Sequence, residues 1–142
     1  MEELLGTTFK GKQGDTDSGS IKSSELVGIY FSASWSPPCK RFTPLLAEFY
    51  REVNSLSQKL EIIFVSSCKN EDDCNKYYEE MPWIMVPYSE LTRMTQLRQK
   101  FQTQQIPTLV ILNQQAEVVC KNGRELVQRD GEKAFTDWGG SP

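Results

Sequence analysis

The chain has 142 residues, of which 38% are hydrophobic and 25% charged, with a formal net charge of −3. This is ordinary soluble globular material, one domain's worth over 1–142 and enough to bury a real core. An acidic chain without a basic face offers little to nucleic acid or anionic membranes, and no apolar run has the length of a membrane span.

Residues 1–26 read as a short strand or hairpin entry, punctuated by Gly6, Gly11, Gly14 and Gly19. Within them GKQGDTDSGS is polar and is expected to be mobile. The opening MEELLGTTFKGK is acidic first and lacks the apolar core of a signal peptide. Val27 to Phe31 is a short apolar run that predicts a buried strand. A small-residue turn follows, then Trp35-Ser36-Pro37-Pro38-Cys39. Phe42, Leu45, Leu46, Phe49, Tyr50 and Val53 recur at helical spacing and predict a helix over 36–56. Pro44 falls inside that apolar face and is expected to kink the helix.

Leu60–Ser66 reads as the next buried strand. An acid-rich start, which a positive helix N-terminus favours, opens a helix over 71–80. MPWIMVPYS is a connection with a short extended run. A helix over 89–102 carries Leu91, Met94, Leu97 and Phe101 as a core stripe. Residues 107–112 form a strand, 113–117 a hairpin turn and 118–120 the returning strand. Asn122-Gly123 signals a turn. Short helices over 123–129 and 131–138 follow, and the tail 139–142 is expected to be disordered. The order β, β, α, β, α, α, β, β, α predicts an α/β fold, a central mixed sheet with helices on both faces.

Strand, tight turn and helix place Ser36 and Cys39 at a helix N-terminus. Ser36 reads locally as an N-cap, with Pro37 in the first helical turn. Cys39 has two readings. Backbone N–H groups and the helix dipole favour a thiolate there, yet an isolated Cys is often an inert small hydrophobe. The other cysteines are Cys68, Cys74 and Cys120. Cys68 and Cys74 lack the spacing of a metal pair, and a disulfide between them is the lesser reading. All three are expected to pack rather than react. The chain has no His, which removes His-based metal sites and His-assisted nucleophiles. Neither metal nor cofactor is expected. Irregular cysteine spacing argues against a secreted disulfide framework, so a cytoplasmic protein is expected, with the nucleus as a second location.

WSPPC differs by one residue from the WCPPC motif of nucleoredoxins and tryparedoxins, a branch of the thioredoxin superfamily, and the chain resembles that family along nearly its whole length. The matching pieces are Glu3-Leu4-Leu5-Gly6, Phe31 to Trp35, Phe42 to Leu46, Phe49-Tyr50, Met81-Pro82-Trp83, Val86-Pro87-Tyr88, Ile106 to Val110, Asn122-Gly123-Arg124 and Phe135 to Trp138. The resemblance implies a thioredoxin fold and thiol–disulfide oxidoreductase chemistry. The first cysteine of the motif attacks a disulfide and the second resolves the mixed disulfide. It further implies a cis Ile106–Pro107 bond facing the motif, and a substrate-binding rim of Trp35, Pro37, Pro38, Trp83, Ile106 and Pro107. The implied partners are protein disulfide or thiol substrates and an upstream thiol reductant of thioredoxin, glutathione or trypanothione type.

Two departures stand out. Tyr30 replaces the buried acid of thioredoxin, so no proton acceptor for Cys39 is assigned. Ser36 occupies the position of the attacking cysteine, and an alcohol neither ionises near neutral pH nor forms a disulfide. Three readings follow: a replacement introduced to silence or trap the site, a natural monothiol protein working through Cys39, or a redox-silent binding module that keeps the groove. As it stands, the chain is expected to be inactive or monothiol.

Overall fold

The computed structural model describes residues 1–142. In chain order the elements are α1 (Glu2–Leu5), β1 (Phe9–Gly11), β2 (Gly14–Thr16), α2 (Gly19–Ser23), β3 (Leu26–Ser32), α3 (Pro37–Val53) and β4 (Leu60–Ser66). Then come α4 (Glu71–Tyr78), β5 (Ile84–Met85), α5 (Leu91–Lys100), β6 (Thr108–Leu112), β7 (Val118–Cys120), α6 (Gly123–Asp130) and α7 (Lys133–Asp137).

One mixed sheet runs β2-β1-β5-β4-β3-β6-β7. The central strands β3 and β4 are parallel, and both are buried from end to end. Strands covered on both faces read as continuous apolar runs, which is why both were visible in the sequence. Alternate side chains feed two cores. Leu26, Tyr30, Leu60, Ile62, Phe64, Leu109 and Ile111 face one side, with α3, α4, α6 and α7. Val27, Ile29, Phe31, Ile63, Val65, Val110 and Leu112 face the other, with α1 and α5.

The polar stretch expected to be mobile is instead the β1–β2 hairpin and α2. Lys10 pairs with Asp15 across the hairpin and with Met85 of β5. Every residue of β2 is exposed, so its side chains carry no burial signal; its order comes from main-chain pairing. The tail is held as well. The Ser141 backbone N–H and hydroxyl donate to Glu25 at 2.8 and 2.7 Å, and Lys59 Nζ donates to the Pro142 carbonyl at 3.1 Å. Asn122-Gly123 is the entry to α6 rather than a free turn. A Cβ on Gly123 would lie 2.8 Å from the Leu109 carbonyl oxygen, so only glycine lets α6 approach β6 this closely. No helix is long and apolar enough to cross a membrane.

Glu61 is the one carboxylate the fold buries, at 3% exposure. Its Oε1 accepts from Tyr50 Oη at 3.0 Å and from the Ile62 N–H at 2.9 Å. Burial outweighs these bonds and holds its pKa above the ordinary carboxyl value. A raised folded-state pKa means the native chain holds the proton longer than the unfolded one. Stability therefore falls as pH rises from the unfolded value through the folded one. Glu61→Gln, which keeps an acceptor and drops the charge, is expected to raise the urea midpoint at mildly alkaline pH and to flatten that fall. Parallel urea titrations at mildly acidic and mildly alkaline pH check it; an unchanged slope with pH would contradict it.

Candidate active site

Three strands bring the site together. β3 and β4 run parallel to a last pair, Ser32 with Ser66, so the segments following them leave the sheet side by side. The Ser67 N–H donates to the Ser32 carbonyl at 2.9 Å, extending the ladder one step. β6 is antiparallel to β3, with Phe31 opposite Thr108, and starts at the same edge. The segments 33–36, 67–70 and 105–107 thus meet where an open α/β sheet presents its functional edge.

The motif folds from local rules. Ser36 is the N-cap of α3 in extended geometry (φ −98°, ψ 116°), and its Oγ accepts the Cys39 N–H at 3.4 Å. Pro37 and Pro38 fill the first turn, where no N–H is required. Pro37 is exposed and Pro38 half-buried. Ser36 is more enclosed than its capping place suggests, at 5% exposure, and Cys39 has no exposed surface. Trp35 stands over them, 51% exposed, its indole N–H donating to the Ser67 carbonyl at 2.9 Å. The Ile106–Pro107 bond is cis, with Ile106 partly buried and Pro107 buried.

Two expectations about the surroundings are corrected. Trp83 is 1% exposed and no part of a rim; it packs edge-on against Tyr30 and Tyr50, with ring centroids 5.8 and 5.6 Å away. Pro44 and Leu45 lie on the solvent side of α3, not on its apolar face. The core face is carried by Cys39, Phe42, Thr43, Leu46, Ala47, Phe49 and Val53. A proline on the outer face frees the Lys40 carbonyl toward water, where its loss of a helix bond costs least.

Behind Cys39 lies a set of buried hydroxyls that the sequence did not announce. Tyr30 Oη bonds Thr43 Oγ1 at 2.7 Å, and Ser32 Oγ bonds Tyr77 Oη at 2.6 Å. Ser32 Oγ also donates to Tyr30 Oη, and Thr43 Oγ1 also pairs with Tyr77 Oη. Thr43 and Tyr77 both reach the Cys39 carbonyl, at 2.9 and 3.2 Å. Burial pushes the Tyr30 and Tyr77 phenols above their ordinary values, so the set stays neutral. The support beneath the motif is a hydroxyl network in place of an acid. Its sequence signal was the unusual phenol at Tyr30, without the partners that explain it.

The structure also brings Cys68 to the site. Its sulfur accepts the Ser34 N–H at 3.4 Å, and the Tyr88 phenol donates to its carbonyl at 3.4 Å. Cys120 packs in β7 on the far side of β6.

Comparison with known proteins agrees with this architecture. A family model described as thioredoxin-like matches residues 24–118. Bovine nucleoredoxin (Bos taurus) is 39% identical over 99% of this chain and 32% of its own length. The chain thus spans about a third of the nucleoredoxins it matches. Tryparedoxin of Trypanosoma brucei brucei is 35% identical over 93% of this chain and 91% of its own length. The solved tryparedoxin from Trypanosoma brucei superposes with a TM-score of 0.84 at 34% identity, covering 93% of this chain and 91% of that one. A tryparedoxin II structure complexed with glutathionylspermidine superposes at 0.82, with 31% identity over 93% of this chain and 91% of that one.

Proposed function

The chain belongs to the thioredoxin-like family, in its nucleoredoxin–tryparedoxin branch, and from that premise we propose that it is a thiol–disulfide oxidoreductase domain whose attacking position is held by Ser36. Its substrates are protein disulfides, and its reductant is an upstream thiol system of thioredoxin, glutathione or trypanothione type. The observation that carries this reading is the position of Ser36 Oγ. It caps α3, takes the Cys39 N–H, and lies on the sheet edge shared with Trp35 and the cis Ile106–Pro107 bond. A sulfur at that point would meet the same donor and the same positive helix end, which is what a nucleophilic thiolate requires.

Full burial of Cys39 speaks against a monothiol route through that residue, since a substrate disulfide has no path to its sulfur. Burial suits the resolving role, in which the partner sulfur is delivered one helical turn away. With Ser36 in place, the 36–39 couple does not cycle. The test is reduction of a protein disulfide by the chain before and after Ser36→Cys, with dithiothreitol as reductant. No turnover before and clear turnover after supports the reading. Turnover that stays absent although a 36–39 disulfide forms assigns the fold to a redox-silent protein-binding module instead.

A further inference from the structure

We propose that the cleft beside the loop 102–105 is a specificity subsite that takes an acidic side chain of the substrate protein, with Arg98 as its cation; this rests on the reading of the chain as a protein-disulfide reductase. The observation that carries it is an uncompensated guanidinium fixed at the functional edge of the sheet. Arg98 is half-buried on α5. Its Nη1 donates to the carbonyl of Ser66, the last residue of β4, at 3.1 Å, and its Nη2 donates to Thr95 Oγ1 at 3.3 Å. Both acceptors are neutral. The fold contains two ion pairs, Lys22 with Glu2 and Arg129 with Asp130, and Arg98 is in neither.

The cleft around Arg98 has a volume of about 560 Å³ and is lined by Thr95, Arg98, Gln99, Gln102, Thr103 and Gln104. No carboxylate and no apolar side chain is among them. One cation, three amides and two hydroxyls offer hydrogen bonds to an oxyanion, with no negative group to repel it. The Thr103 hydroxyl is buried without a partner within the fold, so one donor has nothing to donate to. Gln102 closes α5 in left-handed geometry, with φ +52°, where glycine would be free of strain. A long amide is kept there instead, and it lines the cleft.

The same loop runs directly into Ile106 and Pro107, and β6 begins there opposite the end of β3. At about 3.3 Å per residue, an extended substrate chain that passes Ile106 comes level with Gln102 about four residues on. The subsite therefore selects an acidic residue about four positions from the reacting cysteine. A basic residue at that place meets the Arg98 charge and is rejected.

The kinetic test uses the Ser36→Cys chain, reduced and freed of reductant. Its substrates are three peptides, each carrying its cysteine as a mixed disulfide with thionitrobenzoate and bearing Glu, Gln or Lys at that spacing. Release of thionitrobenzoate should be about fivefold faster from the Glu peptide than from the Gln peptide, the scale of one ion pair at a protein surface, and slowest from the Lys peptide. Arg98→Gln should erase this order. The binding test uses the unaltered chain, which needs no exchange, and the same peptides with the cysteine S-methylated. Followed by NMR, the Glu peptide should shift the side-chain N–H signals of Arg98, Gln99, Gln102 and Gln104, and the Gln peptide should not. Equal rates for the Glu and Gln peptides, an order that survives Arg98→Gln, or signals that move alike or not at all with the two peptides would overturn the proposal. No release from any peptide would instead overturn the reading of the motif, and the titration would still decide the subsite. The titration involves no substitution, so it holds even if Arg98→Gln fails to fold.

Discussion

A Ser36→Cys chain is expected to reduce insulin or a model disulfide on the order of 10³-fold or more faster than the unaltered chain, the scale on which a covalent nucleophile acts. The surroundings of position 36 already favour a thiolate. The Cys39 N–H points at it, the N-terminus of α3 contributes positive potential, and Pro37 and Pro38 fix the first turn. A thiol there should titrate below the free value of about 8.5. Cys39, one turn further and fully buried, should react slowly with alkylating agents until a mixed disulfide at 36 presents a sulfur to it. Two measurements carry the prediction: turnover, and alkylation rates at 36 and 39 resolved by mass. Fast alkylation at 39 and slow at 36 would reverse the assigned roles. Turnover by the Ser36 chain equal to that of the variant would show that the chemistry lies elsewhere.

Trp83→Ala is expected to cost about 3–5 kcal/mol, as removal of a buried large aromatic usually does. The ring sits between Tyr30 and Tyr50 with 1% of its surface exposed, so its loss opens a cavity beside the hydroxyl set that supports α3. Its indole N–H has no acceptor, so Trp83→Phe gives up volume without a hydrogen bond and should fall well short of that cost. Trp35→Ala is the contrast. It removes an exposed ring and a single bond to the Ser67 carbonyl, for a loss of about 1 kcal/mol or less. Urea unfolding of the three variants should rank them in that order, while substrate affinity in the Ser36→Cys background should drop only for Trp35. A Trp83→Ala chain as stable as its parent would return that residue to the rim.

The strands were legible because burial marks them. Val27 to Phe31 and Leu60 to Ser66 are apolar on both faces, and the observed strands run Leu26–Ser32 and Leu60–Ser66. The N-cap at Ser36 was legible too, because capping is a local rule. What escaped the sequence depends on pairing across distance. β2 is exposed at every residue and gains its order from the main chain of β1. Trp83 looked like a rim residue because a motif places a residue along the chain without saying which way its ring turns. Pro44 and Leu45 fell on the helical repeat, but at its border, where a rotation of one position separates core from solvent. The nearness of Cys68 to the motif follows from the register of two strands. No spacing between Cys39 and Cys68 in the sequence encodes it.

The hydroxyl set under Cys39 has a consequence in its wiring. Tyr30, Ser32, Thr43 and Tyr77 supply four protons to six close contacts, counting those to the Cys39 carbonyl. Two contacts are therefore always without a proton, and donors can trade directions only between Tyr30 and Thr43, Ser32 and Tyr77, and Thr43 and Tyr77, while the heavy atoms stay still. Without Ser32, the phenol of Tyr30 still points to Thr43, and Tyr77 still points to the Cys39 carbonyl. Without Tyr77, donation runs from Ser32 through Tyr30 and Thr43 to that same carbonyl. Without Tyr30, Ser32 turns to Tyr77. Thr43 and Tyr77 each make three of the contacts, but only Thr43 can accept from Tyr30. Remove its oxygen and Tyr30 is left facing only Ser32, which already donates to it, so one buried phenol proton has nowhere to go. The redundancy is thus uneven, and a fully buried threonine on the core face of α3 is its single point of failure.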